Sequence, residues 1–185
     1  QAMAQAEHKR VSGKELDNIT VRYIYGAGYD PNGLKELHEK GVDEVLLLPL
    51  YPQFAMATTE TILVLAEQLR DEYFPEMNLT TVPPFYNHPD YINVLSASIY
   101  EKIKDLDYEH LLFSYHGVPE RHIRKSDITN SHCKLDDKCC QTPSKAHKFC
   151  YRHQCYETTR LVGETLKLKE GKFSTSFQSR LGFDP

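Results

Sequence analysis

The cysteines are the first residues of this chain whose type and spacing suggest chemistry. All five fall within 23 consecutive positions, at Cys133, Cys139, Cys140, Cys150 and Cys155. Because their number is odd and no charged-then-apolar leader is visible, a secreted disulfide framework is a poor explanation. A metal site explains the clustering better than free surface thiols do. An iron–sulfur cluster needs four thiolates and tolerates irregular spacing, whereas a zinc site usually shows paired C-x2-C spacing, which is absent here.

Histidines supply the second kind of candidate. Three of them lie among the cysteines and offer alternative metal ligands: His132, His147 and His153. His116 stands apart, between an apolar run and the sequence Gly-Val-Pro at 117–119. A neutral imidazole there could accept a proton near pH 7 or bind a metal, and the alternative is a structural histidine bonded to a backbone carbonyl. Arg22, beside Tyr23, could hold an anionic group, although a local ion pair is the simpler explanation.

The elements that must position these residues alternate between strands and helices. Strands are predicted at 19–25, 44–50, 79–82, 110–115 and 173–179, and helices at 31–40, 59–73, 89–106 and from 156 onward. Thr58 or Thr59 is expected to cap the second helix. This order is typical of right-handed βαβ units around a parallel sheet, in which ligands bind beyond the carboxyl ends of the strands. The polar segment 126–154 shows no periodicity and is expected to be irregular.

Composition narrows the class of protein. The 185 residues are 40% hydrophobic and 26% charged, which is ordinary for a globular chain and excludes collagen-like and wholly disordered proteins. The formal net charge of −4 argues against a general nucleic-acid binder, which usually carries a basic excess. No run approaches the roughly 18–20 apolar residues that a membrane helix needs. A soluble protein is therefore expected.

Three longer motifs, taken in order, resemble one enzyme family. They read Leu-Pro-Leu-Tyr-Pro-Gln-Phe at 48–54, followed by Thr58-Thr59, then Phe-Ser-Tyr-His-Gly-Val-Pro-Glu-Arg at 113–121, then Ser-Phe-Gln-Ser-Arg-Leu-Gly at 176–182. The chain is similar in these motifs to the ferrochelatases, lyases that insert ferrous iron into a porphyrin in heme biosynthesis. The resemblance covers nearly all of the chain.

The resemblance implies a fold and a division of the chain. It implies an α/β fold of two Rossmann-like halves with parallel sheets and the porphyrin in the cleft between them. Residues 1–108 would be part of the N-terminal half, and 109–185 the start of the C-terminal half with a cysteine-rich insertion at 126–155. The chain would be a fragment lacking both ends of a longer enzyme. An acidic partner of His116 would lie beyond Pro185, so the isolated piece is expected to be inactive.

The resemblance also implies roles for particular residues. His116 matches the active-site histidine, which would take a pyrrole proton and meet the incoming Fe²⁺. The substrate site would be lined by the remaining matched positions, which are Arg22, Tyr23, Phe54, Gln178, Ser179 and Arg180. Phe54 stands where many relatives have Tyr, so a phenolic hydroxyl is missing there. The apolar rings would hold and bend the macrocycle, which exposes the nitrogen lone pairs.

Cofactor and partners follow from the same resemblance. Some bacterial ferrochelatases carry an inserted cysteine cluster that holds [2Fe–2S], so four of the five cysteines are expected to bind such a cluster, with zinc as the alternative. Cys155 is the weakest candidate, because relatives without clusters also have a Cys near that point. The substrates would be Fe²⁺ and either protoporphyrin IX or coproporphyrin. A cytoplasmic location with peripheral membrane contact is expected, and no particular oligomeric state is predicted.

Two other functions remain open from the sequence. The first is a sirohydrochlorin-type chelatase that loads cobalt or nickel, which would share the histidine but not the Phe-Gln-Ser-Arg-Leu-Gly string. The second is a non-catalytic iron–sulfur or zinc module built on the same scaffold. It would bind metal but no porphyrin.

Overall fold

The computed structural model describes residues 31–136 and 138–178, and within these ranges the chain is a mixed α/β protein with parallel sheets, as predicted. It divides into two compact units. One contains the described part of Gln1–Leu50 together with Thr58–Pro83, and the other contains Tyr51–Ala57 together with the described part of Pro84–Pro185. These units do not coincide with the proposed halves 1–108 and 109–185, and the family-type boundary stays a prediction.

The first unit consists of two helices and two short strands. In chain order they are α1 (Pro31–Glu39), β1 (Glu44–Leu47), α2 (Thr61–Tyr73) and β2 (Asn78–Thr81). The strands pair in parallel, with Glu44 opposite Asn78 and Leu47 opposite Thr81. Leu34, Leu69 and Met77 form the buried core of this unit. Burying three such side chains supplies most of the driving force for α1 and α2 to pack on the sheet.

Two details of the first unit differ from the sequence expectation. The strand predicted at 44–50 ends at Leu47, two residues before Pro49, which has no backbone N–H to donate to a ladder. A π-helical turn, Met56–Glu60, leads into α2, so the expected cap by Thr58 or Thr59 is wrong. The residue before α2, Glu60, already has helical backbone angles and makes no side-chain cap.

The second unit carries the candidate site residues that the structure describes. Its elements are α3 (Pro89–Ile103), β3 (Leu111–His116), α4 (Glu120–Lys125), a 3-10 helix (Lys145–Phe149), α5 (Tyr151–Thr165) and β4 (Phe173–Gln178). Strands β3 and β4 pair in parallel, with Leu111 opposite Phe173 and His116 opposite Gln178. Helix α5 packs against both α3 and β4. It therefore forms the centre of the unit.

Helix α5 begins five residues earlier than the periodicity predicts. The Sγ atom of Cys150 accepts a hydrogen bond from the His153 backbone N–H at 3.4 Å, so a cysteine caps the helix. The buried face of the first two turns is mostly polar, with Gln154 and Thr158 almost fully enclosed. Hydrophobic periodicity could not detect this start, because the residues that face the interior there are not apolar.

No helix in the described ranges is both long and apolar enough to cross a lipid bilayer.

Candidate functional site

His116 is the last residue of β3 and its side chain is exposed. Exposure alternates along β3, with Leu112, Ser114 and His116 on the exposed face. Two hydrogen bonds hold the backbone around His116. The Gly117 N–H donates to the Gln178 carbonyl at 2.5 Å, and the Tyr151 hydroxyl donates to the His116 carbonyl at 2.9 Å. The imidazole is therefore presented from a fixed backbone at the carboxyl end of a parallel strand.

The other predicted substrate residues fall into three groups. Gln178 is exposed and lies opposite His116 in the sheet register, and its predicted contact with the substrate stays a prediction. Phe54 is 7% exposed and packs edge-to-face on Phe149, with ring centroids 5.1 Å apart. The predicted contact of Phe54 with a macrocycle stays a prediction. The remaining four lie outside the described residues, and their roles also stay predictions: Arg22, Tyr23, Ser179 and Arg180.

Gln154, which the sequence analysis did not single out, holds the Phe54 segment in place. It is completely buried, and its Oε1 accepts the Phe54 backbone N–H at 2.6 Å. Its Nε2 donates to the carbonyls of His147 and Lys148 at 3.2 and 2.8 Å. A single amide thus joins α5, the 51–57 segment and the 3-10 helix. The sequence signal for it was a glutamine on the inward face of a helix, which a search for apolar positions passes over.

Replacing Gln154 with leucine in the full-length protein is expected to lower the free energy of unfolding by about 3 kcal/mol, since it leaves buried donors and acceptors without partners. Chemical denaturation followed by circular dichroism measures this. Gln68→Leu, at an exposed position on α2, is the matched control and is expected to change stability little. Equal effects of the two substitutions would show that the Gln154 hydrogen bonds contribute nothing net.

Four of the five cysteines line one small cavity. Cys133, Cys139, Cys140 and Cys150 surround it, together with Asp127, His132 and His147 among others. None of the cysteines is in a disulfide. A hydrogen bond joins the thiols of Cys140 and Cys150, and it lowers the pKa of Cys150 to about 7 while raising the pKa of Cys140. Within this pair, Cys150 is thus the thiol that ionises more readily near neutral pH.

Cys155 does not line this cavity. Its side chain is fully buried on α5 and hydrogen-bonds the Tyr151 hydroxyl. Burial raises the pKa of Cys155 to about 12, so the thiol stays protonated. Cys155 is thus set apart from the other four cysteines by its place in the fold.

The four-cysteine cavity offers the number of thiols that a [2Fe–2S] cluster needs. Within the ranges 31–136 and 138–178, no three His, Cys, Asp or Glu side chains converge closely enough to bind one metal. A tetrahedral zinc site would need four ligands around one point. A [2Fe–2S] cluster divides four thiolates over two irons, so its ligands need to meet only in pairs. Cys140 and Cys150 are in contact as a pair, and Cys133 and Cys139 are the other two cysteines that line the cavity.

The three neighbouring histidines contact backbone carbonyls. The Nε2 atoms of His132 and His147 lie 2.7 and 3.0 Å from the Cys139 carbonyl oxygen, and His153 Nδ1 lies 2.8 Å from that of Cys140. The rings of His147 and His153 are stacked with centroids 3.6 Å apart. These contacts support the Cys139-Cys140 backbone through one nitrogen of each ring, and the three histidines stay alternative ligands as predicted.

Asp127 anchors the start of the cysteine loop and is a second residue that the sequence analysis missed. Its Oδ1 accepts from the Thr129 N–H and hydroxyl at 2.9 and 2.6 Å, and its Oδ2 accepts from the N–H groups of His132 and Cys133 at 2.9 and 2.8 Å. Burial raises the pKa of Asp127, but these hydrogen bonds outweigh it and hold the pKa near 2. The sequence pattern Asp-x-Thr could have indicated this role. It is typical of an aspartate whose side chain accepts a hydrogen bond from the backbone two residues further on.

Asp127→Asn in the full-length protein is expected to loosen the loop. The amide NH2 group of asparagine would face backbone N–H groups, which now donate hydrogen bonds to the carboxylate. The loss of stability is expected to be about 2 kcal/mol, and the Cys133 thiol should react faster with a thiol reagent. Denaturation and reagent kinetics measure the two effects. Asp107→Asn, at an exposed position, is the control. Unchanged Cys133 reactivity in Asp127→Asn would refute the anchoring role.

Comparison with known proteins identifies the family of the chain. The family model described as Ferrochelatase matches residues 2–185. Among curated relatives, the chain is 42% identical over 165 residues to "Ferrochelatase" of Pseudomonas fluorescens (strain Pf0-1), covering 89% of this chain and 48% of the relative. It is 38% identical over 161 residues to "Ferrochelatase" of Opitutus terrae (strain DSM 11246 / JCM 15787 / PB90-1), covering 87% of this chain and 46% of the relative.

The chain therefore spans about half the length of the curated relatives that it matches. The family model covers nearly every residue of the chain, and the identities to these relatives are near 40%. The chain belongs to the ferrochelatase family.

Proposed function

We propose that the full-length protein containing this chain is a ferrochelatase that inserts Fe²⁺ into protoporphyrin IX or coproporphyrin and releases two protons. The observation that carries the proposal is His116, exposed at the carboxyl end of β3 with its backbone held on both sides. Family membership supports the reaction class. The step would be a terminal one in heme biosynthesis.

His116 performs the proton chemistry in this proposal. Metal insertion requires that two pyrrole N–H protons leave while two pyrrole nitrogens bind the iron. A neutral imidazole accepts one of these protons at a free ring nitrogen, passes it on, and then accepts the second. Positioned general bases of this kind contribute about 10²- to 10⁴-fold to a rate. The fixed backbone limits the orientations that the imidazole must search. A carboxylate in the part of the protein beyond Pro185 would pass the proton on to water.

Porphyrin binding is assigned to the other motif residues. Gln178 lies level with His116 on the adjacent strand, so it can contact the same ligand. Arg22 and Arg180 would pair with anionic groups, since guanidinium matches carboxylates well. Tyr23, Phe54 and Ser179 would complete the substrate site. The exposed carboxyl end of a parallel sheet is where such folds bind their ligands.

A [2Fe–2S] cluster is proposed for the four-cysteine cavity. Cys133, Cys139, Cys140 and Cys150 would hold it, and Cys155 would not. When bound, a cluster of this kind supplies a redox-active centre and ties together the segments that carry its ligands. The iron atom that enters the porphyrin is substrate and is separate from this cluster.

The proposal also covers where the full-length protein is found and whether the fragment alone is active. We place the full-length protein in the cytoplasm with peripheral membrane contact, because the metallated product is largely apolar. The fragment of 185 residues by itself is proposed to be inactive. Its sequence spans only about half of the relatives' length, and the acidic partner of His116 would lie in the remainder.

The test is a metal-insertion assay on the anaerobically purified full-length protein. Fe²⁺ is supplied with protoporphyrin IX or coproporphyrin, and Co²⁺ or Ni²⁺ with sirohydrochlorin in parallel. Turnover with Fe²⁺ and one of the porphyrins is expected. Turnover only with sirohydrochlorin would replace the proposal by the cobalt or nickel chelatase. Bound iron without porphyrin affinity would favour a non-catalytic iron–sulfur module, for which the four-cysteine cavity is the supporting observation.

A further inference from the structure

Tyr151 links the end of β3 to the start of α5 in the second unit. Its hydroxyl donates to the carbonyl of His116 at 2.9 Å. It is also the first residue of α5 and follows Cys150 directly in the chain. The same residue therefore fixes the backbone of the proposed base and adjoins a proposed cluster ligand.

The first turn of α5 is tied to the four-cysteine cavity through Cys150. The Cys150 sulfur meets the Cys140 thiol across the cavity and also caps α5 by accepting the His153 N–H. A change in what the Cys150 sulfur binds must alter this cap, because one sulfur serves both contacts. The position of the first turn of α5, and with it Tyr151, thus depends on the state of the cavity.

The Tyr151 side chain is well placed to transmit such a change. Its ring lies beside Phe177, with centroids 6.3 Å apart, and Phe177 directly precedes the strand residue that pairs with His116. The hydroxyl also lies beside the buried Cys155 thiol of the same helix. A displacement of α5 would therefore carry the hydroxyl with it.

We propose that Tyr151 is a positioning residue that couples the state of the four-cysteine cavity to the orientation of His116. The coupling runs from the Cys150 sulfur through the first turn of α5 to the Tyr151 hydroxyl and the His116 carbonyl. It rests on the proposed function for its catalytic consequence, because His116 must be the base for the orientation to matter. The effect of the cavity on the orientation of His116 can be measured without enzymatic turnover.

The experiment is a double-mutant cycle on the full-length protein, read by the NMR signal of the His116 imidazole in histidine-labelled samples. Cys140→Ala perturbs the cavity, and Tyr151→Phe removes the hydroxyl. Tyr156→Phe is the matched control, since Tyr156 lies on the same helix and contacts the same Phe177 ring. Anaerobic removal of bound iron with a chelator gives a second perturbation that does not depend on the folding of the Cys140 variant.

Perturbing the cavity is expected to shift the His116 signal in the parent protein and in Tyr156→Phe, but not in Tyr151→Phe. Tyr151→Phe should also lower kcat by about 5- to 10-fold with KM for the porphyrin little changed, as loss of one orienting hydrogen bond predicts. Equal signal shifts in Tyr151→Phe and Tyr156→Phe would overturn the coupling. Absence of chelatase activity in the parent protein would instead overturn the proposed function, while the NMR comparison would still decide the coupling.

Discussion

Replacing His116 with alanine in the full-length protein should lower kcat for iron insertion by about 10²- to 10⁴-fold, the contribution of a positioned general base. The fold should be unaffected, because the imidazole is exposed and the two hydrogen bonds at this strand end are made by backbone atoms of His116 and Gly117. Steady-state kinetics with Fe²⁺ and porphyrin measure the effect. The expected signature is a loss in kcat with little change in KM, since the base acts in the transition state rather than in binding.

His110 offers a matched control for this substitution. It is another exposed histidine beside the same strand, at the opposite end of β3, and its Nε2 lies 2.8 Å from the Ser174 hydroxyl. His110→Ala should leave kcat within about twofold of the parent, because surface substitutions usually perturb little. If His116→Ala kept most of the parent activity, the imidazole would not be the proton acceptor. The motif at 113–121 would then serve binding or folding instead.

The second large effect concerns the cysteines. Full-length protein purified without oxygen is expected to hold about two iron atoms and two sulfides per chain, the content of a [2Fe–2S] cluster. Cys140→Ala or Cys150→Ala should abolish both, because each removes one member of the contacting thiol pair and leaves that iron a single cysteine. Iron and sulfide analysis with a visible spectrum provides the measurement.

Cys155→Ala is the matched control for the cysteine prediction. Cys155 is buried outside the cavity, so this variant should keep its iron and sulfide and lose only about 1 kcal/mol of stability through reduced packing. Loss of iron in Cys155→Ala together with its retention in Cys140→Ala would reverse the ligand assignment. Parent protein without iron would refute the cluster, and the cavity would then hold only thiols.

The two tests separate the parts of the proposal. His116→Ala addresses the reaction and should leave iron content unchanged, since His116 does not line the four-cysteine cavity. Cys140→Ala addresses the cluster, and its effect on the rate depends on whether the cavity communicates with β3. The Tyr151 experiment measures that communication directly. The experiments can therefore distinguish a failure of the proposed reaction, of the cluster or of the coupling.

Much of the local structure could be predicted from the sequence. The alternation of apolar strands with amphipathic helices predicted parallel βαβ units, and β1–β2 and β3–β4 are both parallel pairs. His116 was expected at a strand end because an apolar run stops there and glycine follows. These features depend on neighbouring residues and on the period of the backbone, which a sequence displays directly.

Which cysteines line the same cavity was decided only by the tertiary structure. Their spacing treats Cys155 and Cys150 alike, yet Cys155 lies on the inward face of α5 and Cys150 lines the cavity. The separation arises because α5 begins at Tyr151, so Cys150 is left at its amino end while Cys155 turns inward. That start is set by a cysteine cap and a polar buried face. Neither produces the apolar periodicity from which helices are predicted.

The sequence by itself therefore determined the class of fold, the family motifs and the place of His116 at the end of a strand. The tertiary structure decided which four thiols share a cavity, how Gln154 and Asp127 hold the surrounding segments, and that Tyr151 reaches the His116 carbonyl. Gln154 bonds Phe54 across 100 positions of the chain, and Tyr151 bonds His116 across 35. The physical reason is that such polar contacts between distant segments depend on how the elements pack, whereas periodicity and local motifs record only what lies nearby in the chain.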